Sequence, residues 1–141
     1  MRFEKLKNDI LGRKYFLSVA YVSPKKSREI NKKYRKVDKA TNVLSFSLRP
    51  NVGELVLCEA VIKKEIKNQP KDSTRTLEEW LGFLVIHGML HLKGMKHSST
   101  MEKAEKFYYK KYDKKHFNRN RRRVLHDQSG GGRIRQGRKK S

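Results

Sequence analysis

The chain has a single cysteine, Cys58, among its 141 residues. No disulfide can form within it, so the fold must be held by a core, and a reducing cytosol is the compartment that suits it. Long apolar runs are equally scarce. The longest, Trp80 to Leu92, is interrupted by two histidines and is too short to span a bilayer. The opening MRFEKLKNDI lacks the apolar centre of a signal peptide. Acids are few as well: 14 Asp or Glu stand against 36 Lys or Arg, giving a formal net charge of +22. Nine of those basic residues and one acid, Asp127, fall between Asn118 and Ser141, which leaves 27 basic and 13 acidic residues and +14 before it. A field of that sign attracts polyanions, with nucleic acid first and an anionic membrane surface second. A proteome that makes basic proteins in general is the plain alternative.

What is present is periodic enough to fold as one domain. KYFLSVAYV (Lys14 to Val22) reads as a strand. Ser23-Pro24 reads as a helix cap followed by proline in the first turn, opening SREINKKYRKV with Ile30, Tyr34 and Val37 inward. VDKATN is a loop. NVLSFSL (Asn42 to Leu48) alternates as a strand does, and a turn at Pro50, Asn51 and Gly53 pairs it with GELVLC, in which Cys58 is a small buried hydrophobe. EAVIKKEIKN is a short helix with Ala60, Ile62 and Ile66 on its apolar side. After the QPKDST loop, Thr76 and Glu79 have capping-box spacing and begin a long helix that Gly94 ends. Ser99 and Glu102 repeat that spacing before TMEKAEKFYYKKYDKKHF, whose apolar positions are Met101, Ala104, Phe107, Tyr108 and Tyr112. The last stretch, 118–141, is expected to be a mobile basic arm that follows a folded domain over 1–117.

The long helix carries the chemistry. From Trp80 to Leu92, WLGFLVIHGMLHL, the only polar side chains are His87 and His91. A helix apolar all round is buried on most sides. Residues four apart share a face, so both imidazoles can reach one ion. Gly94 stops the helix and lets His97 return to the same point. Three neutral imidazoles with a fourth position open is the layout of a catalytic zinc centre, although other divalent metals also accept imidazole. The alternative is three ordinary, partly buried histidines; the spacing around a helix-ending glycine argues for the metal. His116 and His126 belong to the basic end, with solvated or phosphate-contacting roles. The pattern H-x-x-x-H-x-x-G-x-x-H resembles the ligand skeleton of metzincin proteases. Those enzymes place a glutamate directly after the first histidine as general base. Gly88 stands there in this chain, so peptide hydrolysis loses its main support.

The segment HGMLHLKGMKH, together with INKKYRKVDKATNVLSFSL and GELVLC in that order, resembles the YbeY-type endoribonucleases, also called rRNA maturation factors. The resemblance covers roughly residues 30 to 100. It implies an α+β fold, a small mixed sheet with helices packed around it and the metal helix at the centre. It implies a cytoplasmic, zinc-dependent endoribonuclease specific for single-stranded RNA, acting in 3′-end maturation of small-subunit (16S) ribosomal RNA and in ribosome quality control. The metal ligands would be His87, His91 and His97, and the family's functional arginine maps onto Arg35. Proteins of the family usually carry an aspartate before the third histidine. Here it is Lys96, which cannot accept a hydrogen bond and is expected to point to solvent. Two other readings stand beside this one: a non-catalytic RNA- or ribosome-binding protein with a structural metal, and a metal hydrolase of another substrate such as peptide.

Overall fold

The computed structural model describes residues 3–71 and 75–112. Among the described residues, five helices pack with a three-stranded sheet: α1 (Glu4–Ile10), β1 (Phe16–Tyr21), α2 (Pro24–Arg35), β2 (Val43–Arg49), β3 (Val52–Leu57), α3 (Glu59–Lys67), α4 (Leu77–Leu92) and α5 (Ser99–Lys111). The strand order is β1-β3-β2, with β1 parallel to β3 and β2 antiparallel to it. The sheet is therefore mixed, and the α+β architecture expected from the sequence is the one found. The β2–β3 hairpin turns at Asn51, whose φ is +62°. Gly53 lies inside β3 rather than in the turn.

Helix α4 is the centre of the molecule. Its Thr76 side chain accepts from the Glu79 backbone N–H at 3.1 Å, and Glu79 accepts from the Thr76 N–H at 2.8 Å, a complete capping box. One side of the helix lies on the sheet, and α1, α3 and α5 pack around the rest. Val85, Ile86, Met89 and Leu90 are 1% exposed or less. Burying each such side chain contributes about 1.5–3 kcal/mol, so the segment that carries two of the histidines is firmly held. At its end Gly94 adopts φ +103°, directly after the C-cap Lys93. That conformation favours glycine and turns the chain back toward the helix.

Several local expectations need correction. MRFEKLKNDI, for which the pattern predicts no element, contains a helix, α1, which places Leu6 and Ile10 in the core. Helix α2 starts as expected, with Ser23 accepting from the Lys26 N–H at 3.1 Å and Pro24 at N1. It ends at Arg35, before a left-handed Lys36, and turns a different face inward. Ser27 and Asn31 are buried, while Tyr34 and Val37 are exposed. The physical reason is the loop after the helix. Ser27 Oγ donates to the Thr41 carbonyl at 3.0 Å and accepts from the Thr41 N–H at 2.9 Å, and Asn31 Nδ2 donates to the Lys39 carbonyl at 2.8 Å. Pairing that loop's backbone outweighs burying hydrocarbon. Cys58 is buried as expected, but it caps α3 instead of ending β3. On α3, Ile62 is buried and Ala60 is exposed. Ser98, not Ser99, caps α5, accepting from the Met101 N–H at 3.2 Å, so Glu102 is not the capping-box partner. Phe107 on α5 is exposed. The expected basic arm, 118–141, and with it His116 and His126, lies outside the described residues.

Candidate metal centre

Three elements of local structure bring the histidines together. His87 and His91 lie one turn apart on the last part of α4, and His97 sits in the connection to α5 that Gly94 opens. The ring centroids are 4.6 Å apart for His87–His91, 5.1 Å for His87–His97 and 4.6 Å for His91–His97. One ligand-capable nitrogen from each ring lies within 4.8 Å of the other two, so the group could hold one metal ion. His87 and His91 are half-buried and His97 is exposed, which leaves one side of the cluster open to solvent.

The hydrogen bonds orient two of the rings. His87 Nδ1 is paired with a carboxylate oxygen of Glu105. His91 Nδ1 lies 3.0 Å from the carbonyl of Met95. Neither a carboxylate nor a carbonyl can donate, so the Nδ1 of each ring donates and each Nε2 is turned toward the other ring. Those two Nε2 atoms are 3.1 Å apart. In a tetrahedral site with nitrogens about 2.0–2.1 Å from zinc, ligand atoms sit about 3.4 Å from each other. The donor set and its orientation thus fit a divalent cation. Burial holds the His91 imidazole below its ordinary pKa, and neighbouring His87 pushes it the same way. The neutral form is the one a metal binds.

Glu105 went unnoticed in the sequence. It comes from α5, 18 residues beyond His87, and is only 7% exposed. Its one sequence signal is its place on the inward stripe of α5 among Met101, Ala104 and Tyr108. An acid there needs a buried partner. Lys96 is exposed, as expected. The missing aspartate before His97 therefore does not leave the site without a carboxylate, because Glu105 supplies one from a different element.

The structure also accounts for Gly88. A Cβ at that position would meet Leu55 Cδ2 at 2.7 Å and Ser45 Oγ at 3.1 Å. Ser45 Oγ itself donates to the Gly88 carbonyl at 3.1 Å. This side of α4 is pressed onto the sheet, and a glutamate there would have no room. Arg35 is the last residue of α2 and is exposed. Among the described residues it makes no hydrogen bond or ion pair with any of the three histidines. The three histidines are brought together in one cluster. No helix among the described residues is long and apolar enough to cross a membrane.

Known proteins are similar to this chain. The family described as Endoribonuclease YbeY matches residues 2–119. The protein from Colwellia psychrerythraea of that name is 41% identical over 96 residues, 63% of this chain and 59% of its own length. Its namesake in Staphylococcus carnosus is 34% identical over 103 residues, 64% of this chain and 65% of that one. The Delftia acidovorans protein is 36% identical over 92 residues, 63% and 58%. The chain thus spans less than two thirds of the length of these relatives. The solution structure of TM1509 from Thermotoga maritima has a similar fold, with a TM-score of 0.51 and 24% identity over 98% of this chain and 87% of that one. With the family match running through the sheet, α4, the three histidines and α5, the chain belongs to the endoribonuclease YbeY family.

Proposed function

We propose that this protein is a metal-dependent endoribonuclease that cuts single-stranded RNA, with ribosomal RNA of the small subunit as its substrate, 3′-end maturation of the 16S RNA and ribosome quality control as its roles, and the cytoplasm as its compartment. The observation that carries the reading is the convergence of His87, His91 and His97, with two Nδ1 atoms already engaged, in a chain of this family. The three side chains would hold one ion, for which Zn²⁺ is the proposal. A divalent ion so held supplies Lewis acidity, acidifying water or polarising a phosphoryl oxygen. The rest of the chemistry belongs to the chain's own groups. Glu105 and the Met95 carbonyl fix the two rings and keep their Nε2 lone pairs directed at one point. The open side at His97 admits the phosphodiester. Arg35 is proposed to hold the scissile phosphate and offset charge that develops on its oxygens. The basic surface binds the RNA backbone, and the tail at 118–141 is proposed to add to that attraction.

A peptide substrate is disfavoured by Gly88, because the position of a protease's base is filled by the sheet. A purely structural metal is disfavoured by the exposed third histidine. The test is to incubate the metal-loaded full chain with pre-rRNA fragments that span the 3′ end of the small-subunit RNA, beside His87→Ala, and to map the ends. Cuts by the wild type alone, with about one metal ion per chain, are expected. Equal cutting by His87→Ala, or no cutting by either, would overturn the proposal. Termini bearing a 2′,3′-cyclic phosphate would assign the first attack to the ribose hydroxyl and eliminate direct attack by water.

A further inference from the structure

Tyr34 lies well away in type from the core residues around it. It is 59% exposed, because α2 turns Ser27 and Asn31 inward instead. Its ring meets Phe46 of β2 edge-on, with centroids 5.3 Å apart and planes at 70°. Successive strand residues face opposite sides. Ser45 bonds to α4, so Phe46 belongs to the other side of the sheet. The pair is thus an aromatic step on the face that α4 does not cover.

The charge around this step is mostly positive. The last turn of α2 carries Lys32, Lys33 and Arg35. Lys33 Nζ lies 5.3 Å from the centroid of Tyr34. Asp38, in the following loop, is neutralised by Arg28 at 2.6 Å. Glu54, the register partner of Phe46, is the one acid on that sheet face, and it disfavours a phosphate over the middle of the sheet. A strand of nucleic acid would then run along the α2 side, phosphates toward the lysines and a base over the tyrosine. Aromatic rings that alternate with cations are the hardware of sequence-tolerant single-strand binding.

We infer that Tyr34, backed by Phe46, is a base-stacking step for single-stranded RNA, with the Lys33 ammonium group on a flanking phosphate. The inference rests on RNA being the substrate, but it concerns binding rather than cleavage. The site shares no residue with the histidine cluster.

The test uses the full, metal-loaded chain and fluorescence anisotropy. The probes are a short labelled oligouridine with phosphorothioate links, to slow cleavage, and an abasic strand of the same length and charge. The wild type should prefer the base-bearing strand. Tyr34→Ala should lose about fivefold or more on that strand and nothing on the abasic one, whereas Tyr34→Trp should retain the preference. Melting curves of both variants check the fold, which an exposed side chain should not support heavily. If Tyr34→Ala weakens both strands equally, or neither, or if the wild type shows no preference, the inference falls. It falls too if sedimentation shows a dimer of the chain that Tyr34→Ala dissociates, since the face would then serve a second copy. Base-dependent binding without any cleavage would sink the nuclease reading alone. Cleavage with binding that Tyr34→Ala does not change would sink the stacking step alone.

Discussion

Removing the Glu105 carboxylate should weaken the metal site without removing a ligand. Glu105 is 7% exposed and contacts His87 Nδ1 from the neighbouring helix. It does two things: it fixes which ring nitrogen is protonated and it places negative charge next to a ligand of a cation. Loss of an outer carboxylate of this type costs about 10–100-fold in metal affinity, which corresponds to about 1.4–2.7 kcal/mol. Glu105→Gln keeps an acceptor for the Nδ1 proton but gives up the charge, so it should fall near the lower end. Glu105→Ala loses both and should fall near the upper end. At a metal concentration that saturates both proteins, the stabilisation gained from metal should shrink by the same increment. The affinities are read by competition with a chromophoric chelator, and the increment by denaturant unfolding with and without metal. If folded Glu105→Ala binds the metal as tightly as the wild type, the carboxylate plays no part in positioning His87. If its stability falls equally with and without metal, Glu105 serves packing only.

Gly88→Ala should destabilise the chain by up to about 2 kcal/mol in denaturant unfolding. The new Cβ would overlap Leu55 Cδ2, in a residue 0% exposed, at an overpacking cost of about 1–3 kcal/mol. The gain in helix propensity is only about 1 kcal/mol, so a more stable variant would contradict the close approach of α4 to the sheet. Asp9 joins α1 to α5: Lys111 Nζ, 2.7 Å away, and the Tyr112 hydroxyl hold its carboxyl below the usual range. A lowered folded-state pKa means that its contribution is complete above about pH 4 and is lost as pH falls through the folded value. Asp9→Asn should therefore lower the neutral plateau slightly, leave the acid end nearly unchanged and so flatten the acid limb between them, and an acid limb identical to the wild type would refute the link.

How much of this could be read from the sequence depends on the range over which each feature is decided. The core of α4 was legible because everything that sets it is local. Thr76 and Glu79 are three residues apart, the apolar run is continuous, and Gly94 ends it in a conformation other residues avoid. The ligand spacing lies inside that same stretch, so the three histidines were legible with it. Helix α1 was not, because it has only seven residues and one of its inward positions is a lysine. That lysine, Lys7, is buried only because its Nζ reaches the carbonyls of Gly12 and Arg13, a contact no periodicity reveals. The face of α2 was misread for a related reason. Its orientation is decided by the unpaired backbone groups at Lys39 and Thr41, and hydrophobic spacing does not report on those. Glu105 is the same case at the site itself, since its partner is 18 residues away and on another helix. The division follows from physics. Ligands to one ion on one helix must keep a helical spacing, so they leave a motif. Groups that orient those ligands need only arrive from some direction, and any element that packs alongside can bring them. A motif can therefore lose a carboxylate at Lys96 and still keep a supported centre, provided the helix packed against it carries an acid on its inward stripe, as α5 does.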